Sequence, residues 1–389
     1  MNSFRHIFPP LRIFSGPQSL KHLGAELERL SASRAVIVCG RSIAGDEGLI
    51  QAIREAANGR CVGTHPGVAA HSPLPEVEAT ARALADQKAD AVIAVGGGSA
   101  VVTARAASIL LAEQRDPRSL CTARDPDTGK LVSPKLLASK IPQIILPTTP
   151  TTATVKAGSA MLDPVNRARL ALFDPKTRAR AVIVDPRLLA TPPDALVLSA
   201  GLNTLSLAVE ALLSRSGDPF SDGLLIHAVT MLVDALPAIG SGTADPAEVR
   251  HSLMMASLLA GHGSDYTGAG LAIPIGHALS ARFHLENGLA NSLMLPHVIR
   301  FNGDHAPAGL AKLARALELP RPASSDQVAQ RFSALFQSLE MPSRLRELGV
   351  DADGLGPVAD SAMDDWFIRD NPRPIKGAAE LKALLEQAW

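Results

Sequence analysis

Between residues 33 and 186 short apolar runs alternate with helical segments, and one run ends in three consecutive glycines. AVIVC (35–39) precedes a helical EGLIQAIREAA; VEATARALADQ leads into DAVIAVGGGS (90–99), where Gly96-Gly97-Gly98-Ser99 opens the helical stretch VVTARAASILL. IPQIILPTT (141–149) and RAVIVDP (180–186) are further apolar strands, each closed by a proline or turn signal. Strands that alternate with helices require a mostly parallel sheet covered on both faces. After Asp185-Pro186 the pattern changes: TPPDALVLSAGLNTLSLAVEALLS, SDGLLIHAVTMLVDALPAI and PAEVRHSLMMASLLAGH carry apolar positions at helical spacing, as does the tail AELKALLEQAW. The expected fold is an α/β N-terminal domain with a parallel sheet (1–189) followed by an all-α C-terminal domain (190–389). The boundary falls near the Pro192-Pro193 punctuation. The proline-bearing Glu113–Lys140 stretch, with Pro117, Pro126 and Pro134, reads as a surface excursion.

Composition excludes several functions. A chain of 389 residues with 46% apolar side chains can fill two cores. Its 38 basic and 38 acidic residues cancel, and aromatics make up 3%, which argues against nucleic-acid and membrane-surface partners. Three cysteines without CxxC spacing suit reduced thiols, and the first residues, interrupted by Pro9 and Pro10, do not read as a signal peptide. No uninterrupted apolar run reaches the ~20 residues of a membrane span. A cytoplasmic enzyme acting on a small-molecule substrate, with a homodimer as its expected assembly, is the resulting reading.

Glycines at a strand-to-helix turn let backbone N–H groups approach a pyrophosphate, at the positive end of the new helix. GGGS is not the GxGxxG fingerprint, and an ordinary tight turn is the competing reading. Thr148, Thr149 and Thr152, in the Pro-Thr-Thr-Pro-Thr-Thr turn, are placed to bond ribose or phosphate oxygens, or else to cap their own backbone. At the end of the first strand, Gly40-Arg41-Ser42 offers no acid before Asp46. Arg41 and Ser42 therefore favour NADPH slightly over NADH.

In this order and spacing the segments resemble the iron-containing (group III) alcohol dehydrogenase family, whose fold is similar to dehydroquinate synthase. The resemblance covers nearly the whole chain. It includes ANSLMLPHVIRFN (290–302) and the terminal Asn371-Pro372-Arg373-Pro374, the latter particularly like the maleylacetate reductase branch. In the family GGGS is followed by Asp and Lys where this chain has Val102 and Arg105. The resemblance also implies a divalent cation held by an Asp and a His at i and i+4 on the first helix of the second domain, with two later histidines. Here those positions hold Asn203, Leu207, His277 and Asn287, and Ala281 stands where a further histidine is usual. Two amides, an isobutyl group and one imidazole make no tight Zn²⁺ or Fe²⁺ site. The expected enzyme is a metal-independent NAD(P)H-dependent reductase of a small carbonyl or enone substrate, with a carboxylated, maleylacetate-like compound among the candidates.

A carbonyl accepting hydride needs a proton donor or a stabiliser for the developing alkoxide. His277 is the first candidate, against the ordinary role of a core histidine. Asp265 and Tyr266 in AGHGSDYTGAG, with Asn203, complete the candidate catalytic set, Tyr266 being equally suited to anchoring a helix end. His262 and His284 are weaker candidates. Arg282, Lys156 and Arg373 could take a substrate carboxylate or serve as surface and salt-bridge residues. The chemistry is expected in the cleft beyond the carboxyl ends of the strands. A lyase- or cyclase-type enzyme on the same fold and a non-catalytic nucleotide-binding paralogue remain the alternatives.

Overall fold

The computed structural model describes residues 3–125, 127–128, 131–166 and 168–389; Pro126 lies outside them. The chain divides into two units, Phe8–Pro192 and Pro193–Trp389, the second taking in the first residues as far as Ile7. The division falls three residues beyond the expected 189/190. Ala190 and Thr191 hang from the turn Pro186–Leu189, their N–H groups donating to the Pro186 and Leu188 carbonyls, which carries the α/β unit on to Pro192. The start of the chain joins the helical unit because His6 Nδ1 meets Asp218 Oδ2 at 3.1 Å.

The α/β unit holds six parallel strands in the order β1-β10-β7-β4-β2-β3: β1 (Arg12–Ser15), β2 (Ala35–Gly40), β3 (Cys61–Val68), β4 (Ala91–Gly96), β7 (Gln143–Pro147) and β10 (Ala181–Val184). Two small antiparallel ladders accompany it, β5 (Ala123–Arg124) with β6 (Leu131–Val132) and β8 (Gly158–Asp163) with β9 (Ala168–Phe173). Ile37, Ile93, Ile144 and Ile183 point to one face, against Leu49, Ile50 and Ile53 of helix α1 (Glu47–Ala56). Their neighbours Val36, Val38, Val92 and Val182 are buried as well. Burial on both faces is what makes these strands read as unbroken apolar runs. Helix α2 (Leu74–Asp86) and α3 (Gly98–Glu113) pack together, α3 also lying on β4. The chain steps outward from β2 to β3, then returns across β2 to β4. The strand order therefore reverses between β2 and β4, whose carboxyl ends carry Gly40 and Gly96.

The Glu113–Lys140 stretch is not wholly a surface excursion. Leu120, Cys121 and Leu136 are buried, and the Lys140 side chain is fully covered. Its ammonium lies 2.6 Å from Glu113 Oε1 and 3.2 Å from Asp174 Oδ2, and Lys176 also reaches Asp174 at 3.1 Å. The bond from Lys140 is the leading cause holding the Glu113 carboxyl below its ordinary range.

Every strand among the described residues lies in the α/β unit, and the second unit is helical: α4 (Asp194–Leu213), α5 (Pro219–Ala235), α6 (Pro246–Gly263), α7 (Ala272–Phe283), α8 (Asn287–Asn302), α9 (Pro307–Ala316), α10 (Ser325–Ser338), α11 (Leu355–Met363) and α12 (Ala378–Ala388). Asp218-Pro219 and Asp245-Pro246 start α5 and α6 in the same way. The aspartate accepts first-turn N–H groups, and the proline occupies a position whose N–H has no helical partner. The stretches Asp194–Leu213 and Pro219–Ala238 are long and apolar enough to cross a membrane by length and composition, more so than the sequence reading allowed. Here Leu205, Leu212, Leu225 and Leu232 from them belong to one helical core.

Replacing Lys140 by Met strands the buried Glu113 carboxylate and leaves Asp174 with Lys176 alone. The expected cost is roughly 3–5 kcal/mol of unfolding free energy, checked by a lowered denaturant midpoint at unchanged m-value.

Candidate functional site

At the reversal point the glycine turn is shaped by its contacts with the threonine loop. Gly96 takes φ +143°, a region that favours glycine, and its carbonyl accepts the Thr148 N–H at 3.1 Å. A Cβ on Gly97 would stand 2.7 Å from Thr149 Oγ1, and one on Gly98 3.1 Å from Thr151 Oγ1. The loop therefore presses against the turn, and glycine is needed there before any ligand is considered. Thr148 and Thr149 are buried, which makes them supports of the turn; Thr151, which sequence reasoning passed over, and Thr152, at the start of a 3-10 turn, are only half-buried. Ser99 Oγ accepts the His71 N–H at 3.2 Å, tying α3 to the loop after β3.

At the neighbouring strand end Gly40 precedes the single turn Arg41–Ala44, and Arg41 and Ser42 are exposed. Asp46 is occupied in capping α1, where it accepts the Leu49 N–H at 2.9 Å. The Lys expected at position 105 is Arg105, fully buried, donating to the carbonyls of Gly158 and Ala153 at 2.7 Å each.

In the helical unit Asn203 sits half-buried on α4. Its Oδ1 accepts a 2.8 Å bond from Asn291 Nδ2 on α8. Leu207, one turn on, packs with Ala269, Ile273 and Phe367 in a small apolar cluster. His277, on α7, holds Asp365 Oδ2 at 2.7 Å through Nδ1, and both side chains are about nine-tenths buried. Asp365 is itself fixed, accepting the Phe367 N–H at 3.0 Å. Asn287 begins α8 with its Oδ1 buried and without a hydrogen-bond partner. These donors do not fit a divalent cation: one amide oxygen is engaged, one position is aliphatic, and His277, whose Nδ1 is held by a carboxylate, brings a single imidazole nitrogen, Nε2, to the set. Among the described residues no three His, Cys, Asp or Glu side chains stand close enough to hold one.

The start of α7 is set by Glu210 of α4. Its carboxyl, 1% exposed, accepts the N–H groups of Gly270, Ala272 and Ile273 at 3.2, 2.5 and 3.1 Å. Burial pushes this carboxyl up to about 7, against the downward pull of the N–H donors.

Other candidates are placed elsewhere. Tyr266 donates its hydroxyl to the Ile7 carbonyl at 3.2 Å and lies tilted against the His6 ring, so that it anchors the N-terminal segment rather than a helix end. Asp265 is half-buried, its N–H donating to the His262 carbonyl. His284 ends α7 in a left-handed conformation, and Ala281 and Arg282 are exposed. Arg373 is committed to Glu380 at 2.7 Å and lies 4.0 Å over the Phe301 ring. Asn371 and Asn302 exchange two 2.8 Å amide bonds, so the two C-terminal motifs meet as structural partners. Asp365, Asn291 and Glu210 were missed by sequence reasoning. The signals were a carboxylate inside the apolar LAVEALL, asparagines at i and i+4 on α8, and an aspartate at a turn start.

Comparisons place these features among known proteins. Residues 10–186 match the family described as iron-containing alcohol dehydrogenase, and residues 197–389 match its C-terminal counterpart, Fe-containing alcohol dehydrogenase family, C-terminal. Lactaldehyde reductase of Escherichia coli is 26% identical over 374 residues, 94% of each chain. The NAD-dependent methanol dehydrogenase of Bacillus methanolicus is 25% identical over 380 residues, again 94% of each. The crystal structure of maleylacetate reductase from Agrobacterium tumefaciens superposes with a TM-score of 0.81 at 24% identity, covering 100% of this chain and 99% of that one, a likeness of fold.

The Glu210 carboxyl has its folded pKa above the ordinary 4.5. Its protonated form therefore contributes stability that is present below about pH 4.5 and lost as pH rises through about 7. Glu210→Gln, which copies the protonated state, is expected to flatten that decline. Denaturant midpoints at pH 5 and pH 7.5 check this, and parallel profiles for the two proteins overturn it.

Proposed function

The chain belongs to the iron-containing alcohol dehydrogenase family, and on that premise we propose that it is an NAD(P)H-dependent reductase of a small carbonyl substrate working without a resident metal ion. The observation that carries the second half is the amide and apolar replacement of the cation ligands: Asn203 bonded to Asn291, and Leu207 packed against Phe367. The first half is supported by the glycine turn at the strand-order reversal, where the N-terminus of α3 faces outward from Gly97 and Gly98. Gly97, Gly98 and the first turn of α3 would hold the pyrophosphate of a nicotinamide cofactor, whose reduced form would supply hydride to a carbonyl carbon. Exposed Arg41, with Asp46 occupied in a helix cap, supports a preference for the 2′-phosphate of NADPH.

The protein's own residues supply the proton. Asp365 at Nδ1 fixes the ring orientation of His277, so that Nε2 is the atom that protonates the developing alkoxide. Among cations that could recognise a substrate carboxylate, Arg373 is committed to Glu380 and Phe301, so a carboxylate would fall to another cation such as Arg282, exposed at the end of α7.

Titration of the purified protein with NADH and NADPH, followed by turnover with propanal, lactaldehyde and maleylacetate, tests the reading. The expected result is binding, tighter for NADPH, and aldehyde reduction unchanged by chelation. Absence of binding to either nucleotide overturns the reductase, and activity lost on chelation and restored by Fe²⁺ or Zn²⁺ overturns the metal-free mechanism. In the same assay His277→Ala is expected to lower kcat by about 10²–10⁴-fold with cofactor affinity little changed; full retained turnover removes His277 from the chemistry.

A further inference from the structure

Asn291 is fully buried, and its two ends have different surroundings. A Cβ built on Gly276, the residue before His277, would overlap Asn291 Oδ1, so this oxygen lies directly against the glycine backbone. It has no conventional hydrogen-bond partner. An amide oxygen against a Cα–H is a weakly favourable contact, whereas an NH₂ group turned there would bury two donors against carbon. The Asn291 amide is therefore fixed with oxygen toward Gly276 and Nδ2 toward Asn203. That bond in turn consumes Asn203 Oδ1. Asn203 is thus held with its NH₂ directed away from Asn291, on a side chain that keeps partial exposure.

We infer that Asn203 Nδ2 donates a hydrogen bond to the substrate's carbonyl oxygen, and that Asn291 is the positioning residue that holds the amide in that sense. The inference rests on the reductase reading. In the step, the carbonyl carbon gains a C–H bond from the two-electron hydride of the reduced nicotinamide, which is oxidised. The π pair of the carbonyl moves to oxygen, and the oxygen takes its proton from His277. Asn203 transfers no atom. It acts on the charge that gathers on oxygen, so its bond is stronger in the transition state than in the bound substrate. A preoriented neutral donor at this position does part of what a cation would do, and it favours an uncharged carbonyl whose oxygen can only accept.

Asn291→Asp tests the arrangement. The isosteric carboxylate keeps its contact with Gly276 but can only accept, so it draws the Asn203 NH₂ inward and turns Oδ1 toward the substrate. The expected result is a fall in aldehyde-reduction kcat of about 10²-fold, with NAD(P)H affinity little changed and a lowered thermal midpoint, since the new carboxylate is buried without a counter-charge. In an Asn203→Ala background the same Asp substitution is expected to add nothing, because Asn291 acts through Asn203. Additive losses, or an Asn203→Ala enzyme with wild-type kcat, overturn the inference while leaving the reductase intact. A second measurement does not depend on the buried substitution. Isobutyramide, a neutral carbonyl mimic, is titrated into the enzyme with NADH bound, and Asn203→Ala is expected to weaken it at least about tenfold. Unchanged binding overturns the inference. Failure of the wild-type protein to bind either nicotinamide cofactor overturns the reductase reading and this inference together.

Discussion

The geometry of the helical unit depends on one buried acid accepting three backbone N–H groups. The first turn of any helix carries N–H groups with no partner in the helix, and at the start of α7 these face the interior, where water is absent. Glu210 satisfies Ala272 and Ile273 together with Gly270 just before them. Gly270 has to be glycine, since a Cβ there would sit 2.8 Å from Glu210 Oε1. Because Glu210 lies two turns beyond Asn203 on α4, the same side chain ties the helix carrying the amide to the helix carrying His277. Leu207 and Phe367 fill the space between with carbon. The site is positioned by a carboxyl that takes no part in the chemistry.

Much of the α/β unit was legible because parallel strands buried on both faces leave unbroken apolar runs: β2, β4, β7 and β10 all stood out. β3 did not. CVGTHPGV mixes glycine, proline and polar residues because it is an edge strand with half-exposed side chains. β1 has four residues, too few to show a period. The glycine turn was visible because only glycine tolerates what its backbone must do, and that demand is written directly in the residue type. Asp365 was not visible, because its relation to His277 spans 88 positions and leaves no local pattern. The same separation hides the bond between Asn203 and Asn291. Sequence spacing reveals groups on one helix face; it is silent on groups that meet only when helices pack.

An amide at position 203 and an isobutyl group at 207 shape their surroundings differently from a carboxylate and an imidazole. A carboxylate at position 203 would repel other acceptors and demand positive charge, whereas an amide can be half satisfied by another amide and still offer a donor. An isobutyl group at 207 recruits apolar neighbours, and the C-terminal turn Trp366–Asp370 brings Phe367 to it while Asp365 reaches His277. The acid that now partners the histidine arrives with the same turn that covers the aliphatic side chain. Further along, the Asn302–Asn371 pair fastens this segment to the end of α8.

The contact between Gly97 and Thr149 constrains how this protein can change over generations. A methyl group at position 97 collides with the hydroxyl at 149, 2.7 Å away, while the threonine's carbons stand at 3.8 Å, ordinary contact. The two positions, 52 residues apart in sequence, are therefore coupled by packing: a larger residue at 97 needs the hydroxyl at 149 turned away or removed, so the glycine answers its neighbour as well as any ligand.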